Sequence, residues 1–148
     1  YPKEIKISKS MRKVLRDNQF RLTKNTCFKD VLEYCSSVDR PGQDGTWITE
    51  QMKMAYLKLH EKGIAKSYEV WEGDKLVGGL YGIDLGYVFC GESMFSLTSN
   101  ASKFAFIKLA QELQEKEYKF IDCQLHTDHL ESLGAQEISR IEFLKLLK

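Results

Sequence analysis

Two β-rich runs, residues 67–71 and 75–83, are separated only by Glu72-Gly73-Asp74. Strands joined this tightly pair antiparallel, with the glycine supplying the turn. A lone hairpin is marginal in water, so the rest of the chain has to extend the sheet and cover it. Asp84-Leu85-Gly86 turns the chain into residues 87–90, and residues 118–126 read as a further strand. The covering elements carry helical periodicity. Ser8 or Ser10 caps a short basic helix through Arg16, followed by extended residues 20–23. Asn25 or Thr26 opens a helix to about Cys35, with Phe28, Val31, Leu32 and Cys35 on one face. Residues 36–45 form a loop on their glycines and proline. Thr49 caps a helix striped by Met52, Ala55, Tyr56 and Leu59, and Gly63 ends it. Asn100 caps a long helix over residues 101–116, residues 128–133 make a helical turn ended by Gly134, and residues 141–147 a last helix. Gly78-Gly79 inside a strand marks a bulge or a close backbone approach. The fold class is α+β, with one central, mainly antiparallel sheet flanked by helices.

At 148 residues the chain suits one domain, and 43% apolar with 29% charged content excludes a disordered or fibrous protein. No apolar run approaches the ~20 residues of a membrane span, and the first residues lack an apolar signal core. The four cysteines, Cys27, Cys35, Cys90 and Cys123, include no CxxC pair and read as reduced, structural thiols of a cytoplasmic protein. The net charge of +1 is unevenly spread. Over the first thirty positions nine lysines and arginines face three acidic residues, a surplus of six that leaves the remainder acidic by five. Such a basic end suits a polyanion and the acidic body a cationic partner; a solvated helix surface has the same look.

The chemistry concentrates in two places. Along residues 120–125 strand alternation puts Ile121, Cys123 and Leu125 on one face and Asp122 with Gln124 on the other. A carboxylate and an amide so spaced aim at one point; a strand face open to water is the alternative. Around Gly91, Glu92 sits at a strand end among Phe89, Met94 and Phe95, which line an apolar pocket or belong to the core. Trp47, just ahead of a capped helix, suits either a stacked nucleobase or packing. His126 and His129 lack a Cys or third His at zinc-site spacing, so no metal is expected. There is no P-loop and no GxGxxG. The GESMFS stretch around Ser93 has Phe95 where a nucleophile elbow needs its second glycine, which removes a Ser-His hydrolase.

These stretches fall into one ordered set: GTWI at Gly45, AYLKLH at Ala55, LVGGLYG at Leu76, GESMFS at Gly91, NASK at Asn100, IDCQ at Ile121 and HLESLGA at His129. Together they resemble the catalytic domain of the leucyl/phenylalanyl-tRNA–protein transferases over nearly the whole chain. The resemblance implies an N-acetyltransferase-like fold and a reaction moving Leu, Phe or Met from aminoacyl-tRNA to the N-terminal Arg or Lys of acceptor proteins, marking them for N-degron degradation. It implies no cofactor and no metal, Leu-tRNA or Phe-tRNA and proteins with N-terminal Arg or Lys as partners, no membrane, and a monomer. On matching positions it implies Asp122, Gln124 and Glu92 at the reacting centre. Leu80, Phe89, Met94 and Ile121 then surround the transferred side chain, while Tyr56 binds substrate and Trp47 stacks on the terminal adenosine. Lys9, Arg12, Lys13 and Arg16 grip the tRNA through its phosphates.

The family also carries a small N-terminal domain with a W-x-S-P-x-x-R stretch, and Tyr1 begins just past it. The expectation is one catalytic domain over residues 1–148 with that domain missing and tRNA binding weakened. Two other readings share the fold. An acetyl-coenzyme A-dependent N-acetyltransferase needs a Q/R-x-x-G-x-G/A loop at a helix start, whereas SLTSN precedes Ala101. A non-catalytic RNA-binding domain is the other, in which Asp122 and Gln124 are dispensable.

Overall fold

A computed structural model describes residues 1–38 and 45–148. After a 3-10 turn at Pro2–Glu4 come α1 (Lys9–Arg16), β1 (Arg21–Lys24), α2 (Phe28–Ser37), α3 (Glu50–Glu61), β2 (Ala65–Glu72), β3 (Lys75–Asp84) and β4 (Val88–Ser96). They are followed by α4 (Ala101–Glu115), β5 (Phe120–Asp122), α5 (Asp128–Ser132) and α6 (Arg140–Leu146). The five strands lie side by side in chain order. Neighbours from β1 to β4 are antiparallel, while β5 joins β4 in parallel. A parallel neighbour requires a crossover, and α4 supplies it.

The 72–74 turn forms as read, with Gly73 at φ 59°. Ser8 and Thr49 cap α1 and α3 through their hydroxyls. The loop read over residues 36–45 changes: α2 continues through Ser37, and positions 39–44 lie outside the described residues. Neither Asn25 nor Thr26 caps α2, whose N-cap is Cys27 without a side-chain bond, because both preceding residues are engaged with β2. Asn100 precedes α4 in a left-handed conformation (φ 71°) and makes no side-chain cap. Of the α3 stripe, Ala55 is exposed, whereas Met52, Tyr56 and Leu59 are half-buried.

Each face of the sheet is covered. On one side α4 packs with α1 against Tyr68, Val70, Val77, Leu80 and Phe89. On the other α2 and α3 enclose Ala65, Tyr81 and Phe95 with Phe28, Val31 and Leu32. The Gly78-Gly79 pair serves close approach: a Cβ on Gly78 would lie 2.6 Å from that of Ala101, which lets the start of α4 rest on β3.

Among the described residues the buried charged side chain is Glu69, fully enclosed on β2. Its carboxylate accepts from the hydroxyls of Ser67 (2.5 Å), Thr23 (2.6 Å) and Thr26 (3.0 Å), and from the Thr26 N–H (3.3 Å). It thereby ties the edge strand β1 and the start of α2 to the sheet. Glu69→Ala leaves the buried Ser67 hydroxyl without its acceptor, at roughly 1–3 kcal/mol, and also removes the bonds to the half-buried Thr23 and the exposed Thr26, so we expect a loss of about 3 kcal/mol in urea unfolding.

Candidate active site

β4 does not stop at Cys90, as the local sequence suggested, but runs through Ser96. Its register against β3 slips where Tyr81 pairs with Ser93 and Gly82 with Gly91, leaving Glu92 as the extra residue of a bulge. Gly82 permits this, since any side chain there would collide with the Cys90 carbonyl and the Phe89 ring. Glu92 therefore sits mid-strand, re-aimed by the bulge, and not at a strand end. The Tyr56 hydroxyl on α3 donates to its Oε2 at 2.8 Å, and Gln124 Nε2 approaches its Oε1 at 3.4 Å. Burial and then Glu92 push the Tyr56 phenol well above its ordinary pKa, so it stays a protonated donor.

The second strand of interest is shorter than its pattern implied. The sequence pattern predicts one strand over residues 118–126, but β5 ends at Asp122, so alternation does not put Asp122 and Gln124 on one face. They meet through a turn. Gln124 has φ 62°, and the Leu125 N–H donates to the Cys123 carbonyl at 2.6 Å, closing a three-residue turn around it. Asp122 Oδ1 accepts the Gln124 backbone N–H at 2.9 Å. Such backbone is costly for a side chain-bearing residue, and the Asp122 bond holds it. β4 and β5 pair only from Val88–Phe120 to Cys90–Asp122, so this turn opens beside the Glu92 bulge.

The constellation thus unites Tyr56, Glu92, Asp122 and Gln124. A carboxylate only accepts, so Glu92 draws the Gln124 amide nitrogen and turns its carbonyl oxygen the other way, available to an incoming N–H donor. The four apolar residues, Leu80, Phe89, Met94 and Ile121, also gather, in the core on the α4 side. Leu80 pairs across strands with Met94, and Phe89 with Ile121. Leu80 and Phe89 are fully buried and can only support a ligand from behind, while Met94 and Ile121 are half-buried. A groove of about 680 Å³ runs along residues 121–126, walled by Phe106 and Ala110 of α4 and by Leu133 and Phe143. Phe106 and Ala110 were missed by the sequence reading; their i, i+4 spacing on α4 was the available signal.

The remaining candidates stand apart. Trp47 is 38% exposed on the segment entering α3, beside the buried Ile48. Lys9, Arg12, Lys13 and Arg16 share the exposed side of α1, whose Met11, Val14 and Leu15 face the core. Arg16 also contacts Asp17 at 3.1 Å. Cys90 and Cys123 flank Asp122, but burial first, and nearby carboxylates second, push both thiols up, Cys123 to about 11. Neutral thiols there are poor nucleophiles. No disulfide joins any of the four cysteines. Where spacing considered only Cys and His, the fold brings Asp128 and Glu131 to His126, the three within 4.8 Å and all exposed. His126 pairs with Glu131 at 3.6 Å, a surface ion-pair arrangement.

The sheet, antiparallel from β1 to β4 with β5 parallel at its edge and helices on both faces, belongs to the acetyltransferase-type fold class, as superposition shows. An aminoglycoside acetyltransferase from an uncultured soil metagenomic sample superposes with a TM-score of 0.61 at 16% identity, over 83% of this chain and 93% of that one. An acetyltransferase from Streptococcus agalactiae superposes at 0.50 and 14% identity, over 84% and 88%. The family model for leucyl/phenylalanyl-tRNA protein transferase matches residues 1–148. The transferase of that name from Christiangramia forsetii is 62% identical over 99% of this chain and 70% of its own length. That from Flavobacterium johnsoniae is 59% identical over 98% and 68%. The chain belongs to the leucyl/phenylalanyl-tRNA–protein transferase family.

Proposed function

We infer that this chain performs the transfer that names its family, moving a leucyl or phenylalanyl group from tRNA to a protein. Membership over all 148 residues carries this reading, and it takes precedence over the acetyl-coenzyme A alternative, which rests on fold alone. The acceptor is the free α-amine of an N-terminal Arg or Lys, and the product is marked for N-degron degradation. A cytoplasmic monomer remains the expectation drawn from the family resemblance. No helix among the described residues is long and apolar enough to cross a membrane.

The amine attacks the ester carbonyl, the C–N bond forms, the C–O bond to the ribose breaks, and the proton shed by nitrogen ends on the leaving hydroxyl. An α-ammonium with pKa near ~7.7 already supplies free amine at neutral pH, and an ester needs little activation, so positioning accounts for most of the rate. The Gln124 carbonyl accepts from the attacking amine. Glu92 keeps that amide correctly turned and offers charge to the basic substrate, while Asp122 holds the turn that carries Gln124. Met94 and Ile121, backed by Leu80 and Phe89, receive the transferred side chain, and Phe106 and Ala110 extend that surface. Tyr56 acts through Glu92; Trp47 stacks on the terminal adenosine, and Lys9, Arg12, Lys13 and Arg16 hold the tRNA backbone.

The test is transfer of radiolabelled leucine from Leu-tRNA to a peptide beginning with Arg, beside the same peptide N-acetylated. Label enters the free peptide alone, and Asp122→Ala lowers the rate by about a hundredfold by releasing the Gln124 turn. Equal labelling of both peptides, or an undiminished Asp122→Ala rate, overturns the assignment.

A further inference from the structure

The AYLKLH stretch supplies Tyr56 to the site, but its last residue, His60, has no role in the scheme above. Four positions apart, the two side chains leave the same face of α3 one turn from each other. No residue of α3 is fully buried, so packing alone holds the helix loosely against rotation about its axis. His60 supplies two fixed points. Its imidazole lies flat on the ring of Phe28, centroids 4.2 Å apart and planes 7° from parallel, and Phe28 is buried in the core. Its Nδ1 stands 2.9 Å from the carbonyl oxygen of Ala65, the fully buried first residue of β2. A carbonyl only accepts, so Nδ1 carries the proton and donates. The turn between α3 and β2 does not require this bond. It is already closed by main-chain bonds from Gly63 to His60 (2.8 Å) and from Ile64 to Leu59 (2.9 Å), with Gly63 at φ 73°. The side-chain bond instead sets the helix against the sheet.

We propose that His60 is a positioning residue for the transfer reaction, fixing the rotation of α3 so that the Tyr56 hydroxyl meets Glu92 and Glu92 holds the Gln124 amide. The tolerance is small. Side-chain ends stand roughly 6 Å from a helix axis, so a rotation of about 10° carries them about 1 Å. That displacement takes the 2.8 Å bond from Tyr56 to Glu92 beyond hydrogen-bonding range. Glu92 then loses the donor that holds its carboxylate, and its 3.4 Å contact with Gln124 loosens. Gln124 is exposed and sits on a short turn, so little else limits its rotation. Of the two fixed points the hydrogen bond sets the rotation, because stacked rings slide over each other whereas an N–H to a carbonyl is directional. The proposal rests on the transfer reading only for its kinetic consequence.

His60→Phe keeps a ring on Phe28 but deletes the donor, while His60→Asn loses the ring and returns an N–H near the place of Nδ1. We expect His60→Phe to lower kcat for leucyl transfer about tenfold, with KM for Leu-tRNA within about twofold. His60→Asn recovers most of that rate, although without the stack it is the less stable of the two in thermal melting. A purely structural role gives the opposite order, with activity following stability. His60→Leu, which also lacks the donor, repeats the loss and stands in for His60→Phe if that variant does not fold. Added to Tyr56→Phe, His60→Phe costs nothing further, as expected of residues acting in one line. The Gln124 side-chain amide signal in 15N NMR, assigned by its loss in Gln124→Ala, reads the same series without turnover. It moves in His60→Phe to the position it takes in Tyr56→Phe, and stays near its wild-type position in His60→Asn. A wild-type chain that fails to transfer would sink the functional reading, and the NMR arm alone would then decide on His60. Full activity in His60→Phe, rates that track melting temperature across the variants, independent losses in the double variant, or an unmoved Gln124 signal each overturn the proposal.

Discussion

Gln124→Ala lowers kcat for leucyl transfer by about 10²–10³-fold in single-turnover measurements, with KM for Leu-tRNA little changed and stability unaltered. The side chain is exposed, so no packing is lost with it. The backbone turn also survives, because the Asp122 carboxylate and the Cys123 carbonyl bind main-chain N–H groups and not the amide. Alanine pays the same left-handed conformation as glutamine, which confines the effect to the missing carbonyl oxygen. Gln124→Glu is as damaging for a different reason: it removes the N–H donor and sets a second carboxylate against Glu92. In the wild type the rate rises with pH as the acceptor's α-amine loses its proton near ~7.7, since the residues in place orient the amine and do not deprotonate it. An alanine variant within about twofold of wild type would move the chemistry away from the end of β5.

Replacing Lys9, Arg12, Lys13 and Arg16 together by glutamine weakens Leu-tRNA binding by about a hundredfold near ~0.1 M salt. These residues project from the side of α1 opposite its buried Met11, so the helix stays docked on α4 and the fold is kept. Each phosphate contact adds roughly 0.7–0.9 to the slope of log affinity against log salt, so the slope flattens by about three. The share owed to Arg16 is the smallest, because Asp17 already contacts its guanidinium at 3.1 Å. At saturating tRNA the single-turnover rate is unchanged, which separates docking from catalysis. A slope that stays as steep as in wild type would show that the tRNA backbone follows another face.

Local sequence carries local decisions, and those were legible. The hairpin around Gly73 followed from a turn chemistry that few residues satisfy. The starts of α1 and α3 followed from Ser8 and Thr49, and the length of α4 from its apolar spacing. The seven ordered motifs likewise pointed to the family. Short range is where φ, ψ preference and side-chain periodicity act, so these features need no distant partner.

What the tertiary structure decided is everything set by a neighbour far along the chain. Alternation over residues 118–126 describes a strand, but a strand lasts only as long as its partner pairs with it, and β4 leaves β5 after Cys90. The bulge that re-aims Glu92 arises from register against β3 and from the room at Gly82. Glu69 reads as an ordinary solvent-side residue of β2 until β1 and α2 close over it. Tyr56 and Glu92, 36 positions apart, share a hydrogen bond because α3 is laid across the sheet by its apolar contacts with α2 and β2. Backbone preference and periodicity thus placed the elements, while ladder register and packing, which depend on partners remote in the sequence, turned their side chains toward one another.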